Sequence, residues 1–305
     1  MSLSKIDAIL LSGLLSLAMS TTARAETVSE VKPSGVVLQT PSTGEVWTLQ
    51  LPEDEKVMFK GVLSYDASGP NGSGMLYPAP NAGGFLAGLI THAIILESMK
   101  SRQKTAAQEA ADKVLNPYTD IIQNFTYREL MQRAVDKMAT PQPVQLISYA
   151  EKSQNEWLIQ SAPVFALTQD QTALVLDNVI SISQPGGASY VNTIRIVSAP
   201  SEAANLVQFW AANQGEKLKA LSVSMVADSL QIAMKGASGS LKEDTSAKTV
   251  RYLEGKTEKM ERAQLLAEQC NRALIKTLRG WLLSVPVAST DAGSALCPGT
   301  SARLN

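Results

Sequence analysis

Between Trp157 and Ile196 the apolar side chains fall on every second residue, in three runs separated by turn-formers. Trp157, Ile159, Phe165 and Leu167 share one parity, as do Leu174, Leu176, Ile180 and Ile182, and then Tyr190, Ile194 and Ile196. Thr168-Gln-Asp-Gln171 and Pro185-Gly-Gly187 separate them. A period of two places alternate side chains on opposite faces of a strand, and a helix cannot satisfy it. The three runs predict an antiparallel β meander, and the rest of the chain must pack around it.

On either side the pattern is mixed. Val36-Val37-Leu38 and Val46–Leu51 read as short edge strands, and Val57–Tyr65 as a further strand. Residues 144–150 add a candidate edge. One helix is predicted from about Gly84 to about Leu115, stopped by Pro117. Thr126-Tyr-Arg-Glu129 has the form of a capping box, opening a second helix that runs to about Met138. Ser201 is the expected N-cap of a third, which keeps helical spacing from Leu206 to Met234, with Gly215 as a kink or break. Val250–Leu253 reads as a short strand. Residues 258–270 predict a helix, followed by a strand over 274–285, bounded by Gly280 and Pro286, with a helix as the alternative because Leu274, Ile275, Leu278, Trp281 and Leu282 also fit a helical period. The fold class predicted is α+β: an antiparallel meander packed against long α-helices, after a cleaved signal peptide.

The N-terminus carries that export signal. One cation, Lys5, precedes about eleven mostly apolar residues, Ala8–Ala18, and then Ala23-Arg-Ala25, the small-residue form a signal peptidase cuts. Cleavage is expected between Ala25 and Glu26. The apolar stretch is shorter than the roughly 20 residues a membrane span needs. The expected organisation is a signal peptide over 1–25, an extended segment over 26–56, a single domain over 57–286 and a flexible tail over 287–305. The general look resembles exported proteins of Gram-negative bacteria, which bears on the compartment alone.

Charge and composition narrow the function classes. Lys and Arg number 27 against 28 Asp and Glu, a formal net charge of −1. Nucleic-acid binders need a basic surface, and membrane-surface binding through charge needs a polybasic patch. Aromatic residues are 5 %, too few for the girdles of an outer-membrane barrel.

The chemistry is mostly missing. His92 is the only histidine, so Ser-His-Asp and Cys-His arrangements depend on it alone. It shares a helical stripe with Phe85, Leu89 and Leu96, where a hydrogen-bonded core histidine is the plain reading and contact with a partner the other. Ser101-Arg-Gln-Lys104 matches the S-x-x-K pattern but lacks its companion motifs. Gly69–Gly74 is glycine-rich without the Lys-Ser/Thr of a phosphate loop. No catalytic residue, metal ligand or cofactor is assigned.

Two features point to packing and contact. Ala67–Leu96 carries no charge beyond Asp66 at its border, and within it Gly84-x-x-x-Gly88 presents a small-residue face that lets another backbone approach. Gly84, Gly88 and His92 are candidate partner-binding residues, with burial in the core as the alternative. Cys270 and Cys297 are the two cysteines, and in an oxidising compartment such a pair reads as a disulfide. It would close a loop of about 28 residues, worth roughly 3–4 kcal/mol in the chain-entropy account.

These features predict a non-catalytic periplasmic protein that acts by binding, as an accessory or assembly component of the cell envelope. The expected contact is an envelope protein or a membrane surface, with no nucleic acid and no transmembrane span in the mature chain. The alternative is a periplasmic hydrolase using carboxylates on a cell-wall or carbohydrate substrate, since such a pair needs no fixed spacing.

Overall fold

The computed structural model describes residues 36–39, 41, 45–63, 102–140, 143–151, 157–242 and 246–287. Among these residues, ten strands form one mixed sheet: β1 (Trp47–Gln50), β2 (Met58–Gly61), β3 (Val144–Ile147), β4 (Trp157–Leu167), β5 (Leu174–Ser183), β6 (Ser189–Val197), β7 (Ala247–Glu254), β8 (Thr257–Gln269), β9 (Arg272–Thr277) and β10 (Leu282–Pro286). Their order is β3-β1-β4-β5-β6-β10-β9-β8-β7, with β2 also paired to β4. The helices are α1 (Arg102–Asp112), α2 (Thr119–Gln123), α3 (Tyr127–Lys137) and α4 (Leu206–Ala237), with a 3-10 segment at Lys113–Tyr118.

The expected class is overturned. The described residues are mostly β, in one mixed ten-stranded sheet, and α4 is the one long helix among them. The meander β4-β5-β6 is antiparallel, but β1 and β2 join β4 in parallel and β10 joins β6 in parallel. In place of the helix expected over 258–270 the chain forms β8, with Cys270 in the turn after it. The propensity of these residues is helical, yet β7 and β9 flank them and supply ladders on both sides, which outweighs propensity. The strand expected over 274–285 is two strands, β9 and β10, with Gly280 in the turn between them. The cap of α4 is Asn205, whose side chain accepts from Gln208 N, in place of Ser201.

The two parallel partners of β4 follow from one residue. β1 runs beside Trp157–Gln160 and β2 beside Val164–Leu167, so the stretch between, Ser161–Pro163, has no described strand beside it on that edge. Thr168 and Ala173 close the β4–β5 hairpin, so by alternation Pro163 points its backbone away from β5 and into this gap. Proline has no N–H to offer a ladder there. Its carbonyl instead accepts from the Tyr127 hydroxyl at 2.8 Å. Residues 51–57, looping out between β1 and β2, pair with the start of α3: Tyr127 N donates to Glu55 O and Val57 N to Phe125 O. As the sequence predicts, Thr126 caps α3 by accepting from Glu129 N. β1 lies inside the sheet, so the segment read as an extended N-terminal lead contributes to it.

Each face of β4-β5-β6 has its own core. Ile159, Phe165, Leu176, Ile180 and Ile194 face α3 and α4, where Leu130, Met131, Leu218, Val226 and Leu230 meet them. A polar bridge crosses this layer: Asn178 donates to Ser229 Oγ on α4 and accepts from Ser161 Oγ. α4 is broken at residues 212–215, and Asn213, Gln214 and Gly215 are left-handed. At Gly215 a Cβ would lie 2.3 Å from Ile121 Cγ2, so glycine meets both the backbone angle and the close approach of α2. On the opposite face Ala166, Val175 and Val197 pack against Tyr252 and Ala263 of the β7–β8 hairpin, which lies over that side.

No helix among the described residues is long and apolar enough to cross a membrane.

Candidate functional site

Under the β7–β8 hairpin, three apolar strands each place one charge on the same side. Lys60 interrupts the apolar run of β2, Asp177 that of β5, and Arg195 that of β6. Asp177 and Arg195 stand directly opposite in the β5–β6 register. Arg195 Nε donates to Asp177 Oδ1 at 2.6 Å and Nη2 to Oδ2 at 2.9 Å, a two-pronged ion pair. Lys60 is 7 % exposed and Asp177 3 %. Tyr252, from β7, is buried within their electrostatic reach.

Burial and mutual charge set the protonation states. Burial alone would raise the Asp177 carboxyl, but the Arg195 charge, its hydrogen bonds and the Lys60 ammonium outweigh it and hold Asp177 below the ordinary carboxylate range. Lys60 goes the other way: burial, aided by the like charge of Arg195, pulls its ammonium from 10.5 down to about 8 against the pull of Asp177. Burial pushes the Tyr252 phenol up to about 12.

The hairpin is fastened over this cluster at its tip. Asp170, in the β4–β5 turn, accepts from Thr168 Oγ1, Thr172 N, Thr172 Oγ1 and Lys256 N, between 2.6 and 3.0 Å. Gly255 sits beside it with φ +64°, and a Cβ there would lie 2.7 Å from Asp170 Oδ1.

Asp177 is engaged by two cations, and it and Lys60 are buried. A buried amine with a lowered pKa suits nucleophilic chemistry in general. Here the carboxylate beside it is already held by two prongs of Arg195. Asp177 also faces cations where a carboxylate-dependent hydrolase would need a second acid. Among the described residues no group of His, Cys, Asp and Glu is placed to hold a metal.

A pH dependence follows from Lys60. Its folded pKa lies below its unfolded one, so between pH about 8 and 10.5 the unfolded chain binds more protons, and stability rises with pH. Lys60→Met is expected to be more stable than the wild type near neutrality and to lack this rise. The difference between the two should shrink by on the order of 2 kcal/mol between pH about 7.5 and 9.5. Urea unfolding of both proteins measures it. Taking the difference cancels the buried tyrosines, which titrate higher.

The residues singled out in the sequence lie elsewhere. Gly84, Gly88, His92, Cys297, Ala25 and Glu26 are outside the described residues. Cys270 occupies the β8–β9 turn with φ 55°, followed by Asn271 at 58°. No free cysteine occurs among the described residues. The signal that could have located Lys60, Asp177 and Arg195 was present: each is a lone charge inside a strand pattern that is otherwise apolar.

Compared with known proteins, the chain matches no family model, no curated protein and no solved structure.

Proposed function

We propose that this is an exported, non-catalytic protein of the periplasm that acts by binding, as an accessory or assembly component of the cell envelope. Its counterpart is an envelope protein or a membrane surface, with peripheral association as the mode of contact. The observation that carries the non-catalytic part is the cluster just described. The buried Asp177 carboxylate is held by both prongs of Arg195 and by the charge of Lys60, so these groups are engaged with one another rather than offered to a substrate. Export rests on the Lys5, Ala8–Ala18 and Ala23-Arg-Ala25 pattern.

The Cys270–Cys297 pairing belongs to the same reading. Val287 N donates to Asn271 O at 2.9 Å, which starts the C-terminal segment beside Cys270. Cys297 follows about ten residues later, and that length of chain reaches about 33 Å, ample for a return.

The test is chemical crosslinking in intact cells followed by fractionation and non-reducing mass analysis. The expected result is a chain beginning at Glu26, two protons lighter than its dithiol form and crosslinked to one dominant envelope component. A chain retained in the cytoplasm with two thiols overturns export and the bridge together. Recovery as a soluble periplasmic monomer without crosslinks overturns the binding role alone.

A further inference from the structure

Five buried side-chain polar atoms lack a hydrogen-bond partner among the described residues, and three of them share one face of the sheet. Trp47 Nε1 and Asn192 Oδ1 lie on the face covered by α3 and α4, Trp47 within that core and Asn192 opposite Ile180. Gln160 Oε1, Ser181 Oγ and Trp281 Nε1 lie on the other. Gln160 has the parity of Ala166 on β4, Ser181 that of Val175 on β5, and Trp281 packs against the same cluster.

Strand register brings these groups into one band. Gln160 stands directly opposite Ser181. One side-chain step along, Val179 stands opposite Thr193 on β6. Leu282 pairs with Ile194, so Trp281 stands beside Thr193. The band crosses β4, β5, β6 and β10, about 14 Å at the usual spacing of neighbouring strands. Gln160 is 7 % exposed, Ser181 0 % and Thr193 3 %. A buried polar atom left unpaired costs about 1–3 kcal/mol, so three in one band call for a counterpart.

The band is held in shape from one end. Gln160 Nε2 donates to Gln50 Oε1 at 2.8 Å, and Gln50 Nε2 donates to the carbonyls of Tyr149 and Glu151. This chain occupies the donor end of the Gln160 amide and leaves Oε1 to accept. The β7–β8 hairpin covers the Ala166, Val175 and Val197 end of the face. Toward the other end Leu158, Ser183 and Val191 are half-buried, so the band lies just inside the margin of the covered area. None of Gln160, Ser181, Thr193 and Trp281 is ionisable. The nearest charges, Asp177 and Arg195, lie one step further along β5 and β6 and hold each other.

We propose that this band binds a short neutral saccharide. The indole N–H requires an acceptor, Gln160 Oε1 requires a donor, and the Ser181 and Thr193 hydroxyls take either. Sugar hydroxyls supply both functions without charge. The length of the band calls for several hydroxyls in line, which a short chain of sugars offers and one ring does not. Ala162 and Val179, buried between the polar groups, suit the C–H faces of the rings. An extended peptide would instead recognise a sheet through the main chain of its edge, whereas here side chains on a face carry the partners. This site goes beyond the envelope-binding reading and does not depend on it.

The experiment is titration of the purified, nitrogen-15-labelled mature chain with maltotriose, cellotriose and N-acetylchitotriose, read by the four indole N–H resonances. The Trp281 resonance is the one lost in Trp281→Phe. At least one of the three probes is expected to move it saturably below about 10 mM. Gln160→Leu and Ser181→Ala should each weaken that binding at least about fivefold, because each removes a group the ligand pairs with. The Trp47, Trp157 and Trp210 resonances should keep their positions in both variants, which shows that the fold is intact. Ser181→Ala removes only an unpartnered hydroxyl, so it keeps the test open if Gln160→Leu fails to fold. No saturable shift with any of the three saccharides overturns the proposal, as does a shift indifferent to the folded variants. A stronger response to the neutral peptide N-acetyl-trialanine amide than to every saccharide overturns the ligand class. The protein is tested alone, so the outcome is separate from whether an envelope partner exists.

Discussion

Asp177→Asn is expected to lower the free energy of unfolding by about 3–5 kcal/mol, the usual cost of removing one partner from a buried ion pair. Without the carboxylate, buried Lys60 and half-buried Arg195 remain beside each other as like charges and Arg195 loses both of its short hydrogen bonds. Urea denaturation at neutral pH measures the loss. A second expectation separates electrostatics from shape. Asp177→Leu combined with Arg195→Met and Lys60→Met should recover most of the stability or exceed it, because buried ion pairs replaced by packed apolar groups are often neutral or better. The pH sign differs from that of Lys60. Asp177 has a depressed folded pKa, so its contribution is present above the ordinary carboxylate range and is lost as pH falls through the folded value. Acid should therefore narrow the gap between wild type and Asp177→Asn. A single substitution costing less than about 1 kcal/mol would mean the cluster is solvated and open, which would also remove the main support for the non-catalytic reading.

Gly61→Ala is expected to be the most damaging small substitution in the sheet. Its φ is ordinary, so the reason is space. An added Cβ would lie 2.0 Å from the carbonyl oxygen of Ala111 and 2.4 Å from its carbon, and backbone cannot turn aside as a side chain can. The end of β2 and the end of α1 touch here. Gly61 N donates to Asp112 Oδ1 at 2.7 Å, and Gln108 Nε2 reaches both Gly61 O and Asp112 Oδ1. Steric displacement and these lost bonds together should cost about 3 kcal/mol or more. Hydrogen exchange should show protection falling over residues 102–118 first, with β5 and β6 retained, because α1 is held to the sheet at this point. Uniform loss across the molecule would mean that α1 and the meander unfold as one unit.

The cluster and the sheet were legible to different degrees. Alternation in 157–197 identified the meander because the large apolar side chains fall on the face covered by α3 and α4, while the other face carries smaller or polar residues such as Ala166, Val175, Asp177 and Arg195. Pro163 stood in the middle of that pattern as a visible irregularity, and it marks the place where β1 and β2 part. The parallel pairing of β1 and β2 with β4 left no local trace, since four-residue strands are too short to carry a period and β4 lies over a hundred residues away. Lys60, Asp177 and Arg195 were visible as single charges, but nothing in the sequence says that three strands bring them to one spot. Residues 258–270 misled for the opposite reason: Glu, Lys, Arg, Met and Ala favour a helix locally, and the two ladders that override them come from segments the local pattern does not contain.

What the sequence by itself determined are the features decided within a few residues: the three alternating strands and their turns, the Thr126 cap of α3, the break at Gly215 and the formal neutrality of the chain. What only the tertiary structure decided are the features that depend on which segments become neighbours. These are the mixed ten-stranded sheet in place of an α+β layer pair, β8 as a strand, and the burial of Lys60 and Asp177 beside Arg195 under a hairpin fastened by Asp170. Local patterns report backbone preference and face, whereas strand partnership and charge burial are set by free energies summed over contacts far apart in the chain.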